Sequence, residues 1–323
     1  MKTKWQFIRR RVLRQFTPWI PRQLWIGVTY ECQCQCVHCI LGHSLNKNKD
    51  ELTKEEIYKL IDTARRLGFL EVSFFGGEPL MRKDLIDVIQ FSNSKGLLTS
   101  IYTNGIMLTD EMTKDLRKAG LNYCNISLDS AYPEQHNMLR GYKGCFEKAV
   151  DGIKKLVDAG ISCSIWTYVK RSDVEDPEFK SLRSLIKMGN DLNVKKVVIL
   201  FPMASGNWLC GAENILTQTE RDKVRILHNP PFVSMEFPDE DAYCKAGKRM
   251  VYITPQGEVS PCPTIPYSFG NIRKESLSVI LKRLNSSFME SMEGGCGECV
   301  MNDNTFREKI GIDIHIGKKP GSD

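Results

Sequence analysis

Thr29-Tyr30-Glu31-Cys32-Gln33-Cys34-Gln35-Cys36-Val37-His38-Cys39 is the stretch from which the rest of the chain is read. Cys32, Cys36 and Cys39 form a compact trio with no nearby fourth partner. Iron–sulfur cubanes are normally held by four cysteine thiolates, so three leave one iron open. An open coordination position separates a catalytic metal site from a closed structural one. A second reading stands beside this one. Cys34 shares the loop, and Cys36 and Cys39 with His43 make up part of a zinc site.

The chain has 323 residues, enough for a barrel and a small second domain. Its hydrophobic fraction of 41% and charged fraction of 26% are those of a globular protein. No apolar run is long enough to span a bilayer, and no apolar signal core opens the chain, so export is not expected. Twelve cysteines in such a chain argue for metal or redox chemistry in the reducing cytoplasm, not for disulfides. The net charge of +6 is local: seven of the 45 basic residues and no acid lie in residues 1–30, leaving 38 against 39 acidic. A general nucleic-acid surface is therefore not indicated.

Three regions follow from pattern. Residues 1–22 form a basic arm in which Trp5, Ile8, Val12 and Phe16 recur at helical spacing, ended by Pro18 and Pro21. This arm reads either as a helix packed on the barrel or as a peripheral anchor on anionic lipid or an acidic partner. Residues 23–205 alternate strand and helix. Strands are expected at Leu24–Val28, Glu71–Phe75, Leu98–Thr103, Tyr123–Leu128, Ile161–Val169 and Lys195–Phe201. Helices are expected at Thr53–Leu67, Leu85–Asn93, Asp110–Ala119, Cys145–Ala159 and Phe179–Gly189, the first with a capping box from Thr53 to Glu56. Such units predict an α/β fold with a parallel sheet and its chemistry after the strand C-termini. Residues 206–323 hold a helix near Gln218–Leu227 and a cysteine-bearing module. That module has a hairpin, Val251–Thr254 and Val259–Ser260, and a helix at Ser276–Leu284.

Gly76-Gly77-Glu78-Pro79 directly follows the second expected strand. Paired glycines let backbone approach a ligand, and a carboxylate there accepts from an ammonium group. A plain strand-to-helix turn accounts for the same residues. Thr103-Asn104-Gly105 ends the third strand and Ser127-Leu128-Asp129 the fourth, with Arg140-Gly141 beyond. Taken with C-x3-C-x2-C at Cys32, Cys36 and Cys39, this set resembles the radical S-adenosylmethionine (AdoMet) enzymes. The resemblance runs over roughly residues 24–300. It implies a partial (β/α)6 TIM-like barrel and a [4Fe–4S] cluster on the three cysteines, with AdoMet chelated to the open iron. It also implies that Gly76, Gly77, Glu78 and Pro79 serve the AdoMet amino group, that Asn104, Ser127, Asp129 and Arg140 line its other groups, and that His38 lies near adenine. Turn chemistry, a helix cap and a surface salt bridge are the bland readings of Asn104, Asp129 and Arg140.

Cys244, Cys262, Cys296 and Cys299 form a second set in which only Cys296/Cys299 makes a C-x2-C knuckle, fewer than zinc ribbons show. This resembles the SPASM/Twitch extension of the same family. No cysteine follows Cys299, so the resemblance is to the Twitch form, with one auxiliary [4Fe–4S] cluster on all four. The implied activity is reductive cleavage of AdoMet to a 5′-deoxyadenosyl radical that removes hydrogen from a substrate, served by a flavodoxin- or ferredoxin-type electron donor. A peptide, in maturation of a ribosomal product, is the first substrate expectation. A sugar, cofactor precursor or lipid-linked molecule is the second, and a non-catalytic iron–sulfur scaffold is the third reading. Buried packing is expected for Cys124, Cys145 and Cys163. Cys210, after the sixth strand, is a candidate hydrogen-atom donor.

Overall fold

Strand and helix alternate as the sequence predicts. The computed structural model describes residues 20–42, 44–46, 50–209, 214–235, 244, 246–290 and 299–310. The strands are β1 (Gln23–Thr29), β2 (Glu71–Gly76), β3 (Leu98–Thr103), β4 (Tyr123–Ser127), β5 (Ser162–Tyr168) and β6 (Lys196–Leu200). Three more are β7 (Val233–Met235), β8 (Met250–Ile253) and β9 (Val259–Ser260). The helices between them include α1 (Lys54–Leu67), α2 (Leu85–Ser94), α3 (Asp110–Lys118), α4 (Pro133–Arg140) and α5 (Cys145–Asp158). Further along come α6 (Arg171–Glu175), α7 (Lys180–Asp191), α8 (Gln218–Arg225), α9 (Leu277–Glu290) and α10 (Asn304–Lys309).

One nine-stranded sheet runs β7-β6-β5-β4-β3-β2-β1-β8-β9. All neighbours are parallel except β8 and β9. The ends are not joined, so the barrel stays open. Its strands carry two different faces. Leu24, Ile26, Val72, Phe74, Ile126 and Ile165 point outward and pack with helix residues such as Ile57, Leu60, Ile61, Val88 and Ile153. Each such burial contributes about 1.5–3 kcal/mol. The alternate positions Trp25, Phe75, Tyr102 and Trp166 line a central cavity of about 210 Å³. The period-2 alternation thus separates an aliphatic outer core from an aromatic lumen.

Local chemistry explains the frame. Thr53 caps α1 by accepting from Glu56 N, and the Glu56 carboxylate returns to Thr53 N at 2.8 Å. Gly68 ends that helix in the left-handed region, where glycine carries no Cβ penalty.

The structure adds two parallel strands to the six expected. β7 is three residues long and follows Pro230-Pro231, too short to show alternation. β8 does form the expected hairpin with β9, but its other edge bonds to β1, pairing Gln23 with Met250 and Ile26 with Ile253. The cysteine-bearing module therefore shares the barrel's sheet. The sequence pattern predicts no helix at α4, α6 or α10, which are short, and α9 runs on to Glu290. Residues 1–19 of the basic arm lie outside the described residues. Among the described residues no helix is long and apolar enough to cross a membrane.

Candidate active site

The cysteine loop leaves β1 and is fixed from three sides. On one side is the turn after β2. Gly77 N donates to Thr29 O at 2.8 Å and Glu78 N to Glu31 O at 2.7 Å. A Cβ on Gly76 would stand 2.3 Å from Thr29 O, and one on Gly77 would stand 2.2 Å from Glu31 O. The paired glycines are thus required for backbone-to-backbone contact between two strand ends. On the second side is α4, where Gln35 N and Val37 N donate to Arg140 O and Leu139 O, each at 3.0 Å. On the third is the 3-10 turn Gly206–Trp208: Asn207 Nδ2 donates to Cys36 O at 2.8 Å and Asn207 N to Cys39 O at 2.9 Å.

Glu78 is fully buried and its carboxylate is held by three donors of the protein. It accepts from Leu80 N at 3.0 Å, from Thr103 Oγ1 at 2.6 Å and from Asn104 N at 2.8 Å. Burial raises its pKa to about 7 against the opposing pull of those bonds. The carboxylate therefore fixes the turn after β3, and it is not among the groups lining the cavity, whereas Gly76, Gly77, Thr103 and Asn104 are. Pro79 is buried in the 3-10 turn Pro79–Met81 and does not reach the cavity either.

His38, Asp129 and Arg140 form a buried charge group. Arg140 Nε lies 2.6 Å from Asp129 Oδ2, a charge contact off the line of a hydrogen bond, and His38 Nε2 lies 3.4 Å from the same oxygen. Burial raises the Asp129 pKa, but Arg140 and His38 reverse this and hold it below the usual carboxylate range. Burial drives His38 down to about 4, so its ring is neutral at pH 7. Tyr168 and Trp208 pack on that ring at 5.2 and 5.5 Å between centroids. Arg140 Nη1 also donates to Cys36 Sγ at 3.6 Å. The Cys36 thiol is lowered to about 7 by its side-chain contact with Cys34 and, against burial, by Arg140. Burial pushes Cys39 up to about 12.

Cys32, Cys36, Cys39, His38, Ser127 and Arg140 border the cavity, and so do Cys244, Cys262 and Cys299. Asp129 stands behind Arg140 and does not line it. The two cysteine sets therefore face one space. Cys210 and Cys296 lie outside the described residues. The segment after β6 ties the sets together. Ser205 Oγ donates to Thr264 O at 2.9 Å, two residues from Cys262, and Ala204 N donates to Asn302 Oδ1 at 2.9 Å, three residues from Cys299. Asn207 and Trp208 escape sequence reading, because only their place after a strand C-terminus marks them.

The donor chemistry fits iron–sulfur clusters. Soft thiolates select them, and the cysteines ring a cavity. Among the described residues no three Cys, His, Asp or Glu side chains converge on one metal ion. Both Asp129 oxygens are buried without a hydrogen bond, and the charge of Arg140, 2.6 Å from Oδ2, is what balances them.

Comparison with known proteins agrees with this geometry. The radical SAM superfamily model matches residues 26–180, and the SPASM iron–sulfur cluster-binding domain matches residues 244–300. The AdoMet-dependent heme synthase of Oleidesulfovibrio alaskensis is 27% identical over 84% of this chain and 78% of its own length. The PqqA peptide cyclase of Rhizobium meliloti is 27% identical over 85% of this chain and 77% of its own. Streptococcus suis SuiB bound to S-adenosylmethionine has a TM-score of 0.65 at 15% identity, covering 81% of this chain and 65% of that one. SuiB bound to the precursor peptide SuiA gives the same TM-score at 16% identity, covering 85% and 68%. The chain is a radical AdoMet enzyme with a C-terminal SPASM-type domain, and its cofactors are AdoMet, a [4Fe–4S] cluster and an auxiliary iron–sulfur cluster.

Proposed function

We propose that this enzyme removes a hydrogen atom from a peptide substrate. In this reading Cys32, Cys36 and Cys39 hold the AdoMet-binding cluster, and Cys244, Cys262, Cys296 and Cys299 hold one auxiliary [4Fe–4S] cluster. The observation that carries it is one cavity bordered by cysteines of both sets and walled by Trp25, Phe75, Tyr102 and Trp166. When bound, the cluster and AdoMet supply a reductively generated 5′-deoxyadenosyl radical that abstracts hydrogen.

The chain's own residues orient and protect. The Gly76-Gly77 backbone edge, Asn104 and Ser127 present polar groups to AdoMet, and Arg140 presents positive charge for its carboxylate. Glu78 acts at one remove, by holding Asn104. Neutral His38 offers a flat, uncharged ring beside the cysteines. A low-potential electron donor completes the system, in the reducing compartment that thiolate ligands require.

The lumen's chemistry favours a peptide side chain over a sugar or lipid headgroup. Among its described lining residues there is no acid, and the one cation, Arg140, is already in contact with Asp129. Buried Nε1–H groups of Trp25 and Trp166 carry no hydrogen bond within the protein. Buried donors of this kind are matched by a partner, and one acceptor on the substrate would supply it. The likeness to a peptide cyclase and to peptide-bound SuiB supports this. A likeness to heme synthases favours a second reading, action on a tetrapyrrole. Its carboxylates need cations, which the described lining supplies only in Arg140.

The test is anaerobic turnover with dithionite and AdoMet against two probes: short peptides encoded beside the gene, and iron coproporphyrin. Mass loss or cross-linking in a peptide, in step with 5′-deoxyadenosine, supports the reading. Turnover of the porphyrin alone replaces it with the second.

A further inference from the structure

Cys34 and Cys145 take no part in the reading above, yet they lie against its centre. Cys34 is 2% exposed and Cys145 is fully buried. With Cys36 they form a small apolar cluster of their own, apart from the main core, walled by Cys32, Cys39, Ile106 and Tyr142. Within it the Cys34 side chain meets those of Cys32, Cys36 and Cys145. Cys145 opens α5 directly after Gly144, whose φ of 78° turns the chain inward. Behind Cys145 sits His136, fully buried. Its Nδ1 accepts from Asp129 N at 3.1 Å, which fixes the ring and leaves Nε2–H on the side of Cys145. Nε2 takes no nitrogen or oxygen partner.

Two of the sulfurs that face Cys34 are those assigned as cluster ligands. A thiol between two thiolates is a donor, since only it carries a proton to share. Hydrogen bonds to cluster sulfurs stabilise the more negative, reduced state and so raise the reduction potential.

We propose that Cys34 is a positioning residue for the AdoMet-binding cluster: its one S–H proton is shared between the thiolates of Cys32 and Cys36, Cys145 and His136 hold it there, and this contact sets the cluster's potential. This rests on the ligand assignment of Cys32, Cys36 and Cys39.

The experiment is a redox titration of the anaerobically reconstituted full chain, followed by EPR through the signal that responds to AdoMet. Iron is counted in each sample. Cys34→Ala is expected to keep its iron and move the midpoint to a more negative value. Cys34→Ser, which retains an O–H donor, should recover most of that shift. Cys145→Ala should move it in the same direction by less. Cys163→Ala, buried in the main core, should leave it unchanged. An unchanged midpoint in iron-replete Cys34→Ala overturns the proposal. Iron loss in both Cys34→Ala and Cys34→Ser overturns it as well, by making Cys34 a ligand. Full iron in Cys36→Ala instead brings down the ligand assignment itself, a failure told apart by the unmutated Cys34.

Discussion

Cys32, Cys36 and Cys39 come from eight consecutive residues, whereas Cys244, Cys262 and Cys299 come from three separated stretches of chain. The first set is held by backbone bonds from the β2 turn, from α4 and from Asn207. The second depends on β8 joining β1 and on two contacts from the segment after β6. One set is thus preorganised by bonds to a single loop, while the other is gathered by tertiary pairing. Metal binding couples more strongly to folding where ligands converge from a distance.

The largest expected effect falls on the preorganised set. Gly77→Ala forces a Cβ to within 2.2 Å of Glu31 O, so the cysteine loop must shift. Overpacking of this kind costs about 3 kcal/mol. Denaturant unfolding should show it, with iron lost first from the Cys32/Cys36/Cys39 set; full iron at both sets would break the comparison. Glu78→Ala comes next. It strips the acceptor from Leu80 N, Thr103 and Asn104 N, at a cost of about 2–3 kcal/mol by the same measurement. A loss below about 0.5 kcal/mol would show that these bonds do not hold the site.

A pH effect follows. The His38 pKa falls from 6.5 unfolded to about 4 folded, mainly through burial. Its contribution is therefore full above the unfolded value and is lost as pH falls through the folded one, at most about 3 kcal/mol. Glu78 works in the opposite sense, since its raised pKa of about 7 costs stability as pH rises from 4.5. The difference between wild type and His38→Phe isolates the histidine. That difference should shrink between pH 6.5 and 4, and a constant gap would mean the ring does not titrate in this window. The smallest effect belongs to Arg273, which reaches from the second region to Asp50 at 2.9 Å and Glu56 at 2.7 Å. It is partly exposed, so Arg273→Ala should cost about 0.5–1 kcal/mol. A much larger loss would make this bridge, and not the β1–β8 pairing, the main tie between the regions.

The same contrast explains what the sequence discloses. The cysteine loop, the Gly-Gly-Glu turn, the Thr53 cap and five helices carry local signals of spacing and period, and each is legible. β7 is too short to alternate, and the pairing of β8 with β1 joins residues more than two hundred positions apart, which no local pattern reports. The Gly-Gly-Glu motif names Glu78 as an acid near the ligand without disclosing what else its carboxylate meets. Only the fold reveals that Leu80, Thr103 and Asn104 hold its carboxylate. Cys145 and Cys34 look unrelated along the chain, and Asn207 is one polar residue in a turn, until three elements bring them to the same loop.

The most direct test of the account is an iron count paired with a 5′-deoxyadenosine assay after anaerobic reconstitution, dithionite and AdoMet. The wild type is expected to hold about eight irons and form product, and Cys32/Cys36/Cys39→Ala about four irons without product. Cys244/Cys262→Ala is expected to hold about four irons with product retained. Bound zinc, or 5′-deoxyadenosine from the triple variant, would contradict it.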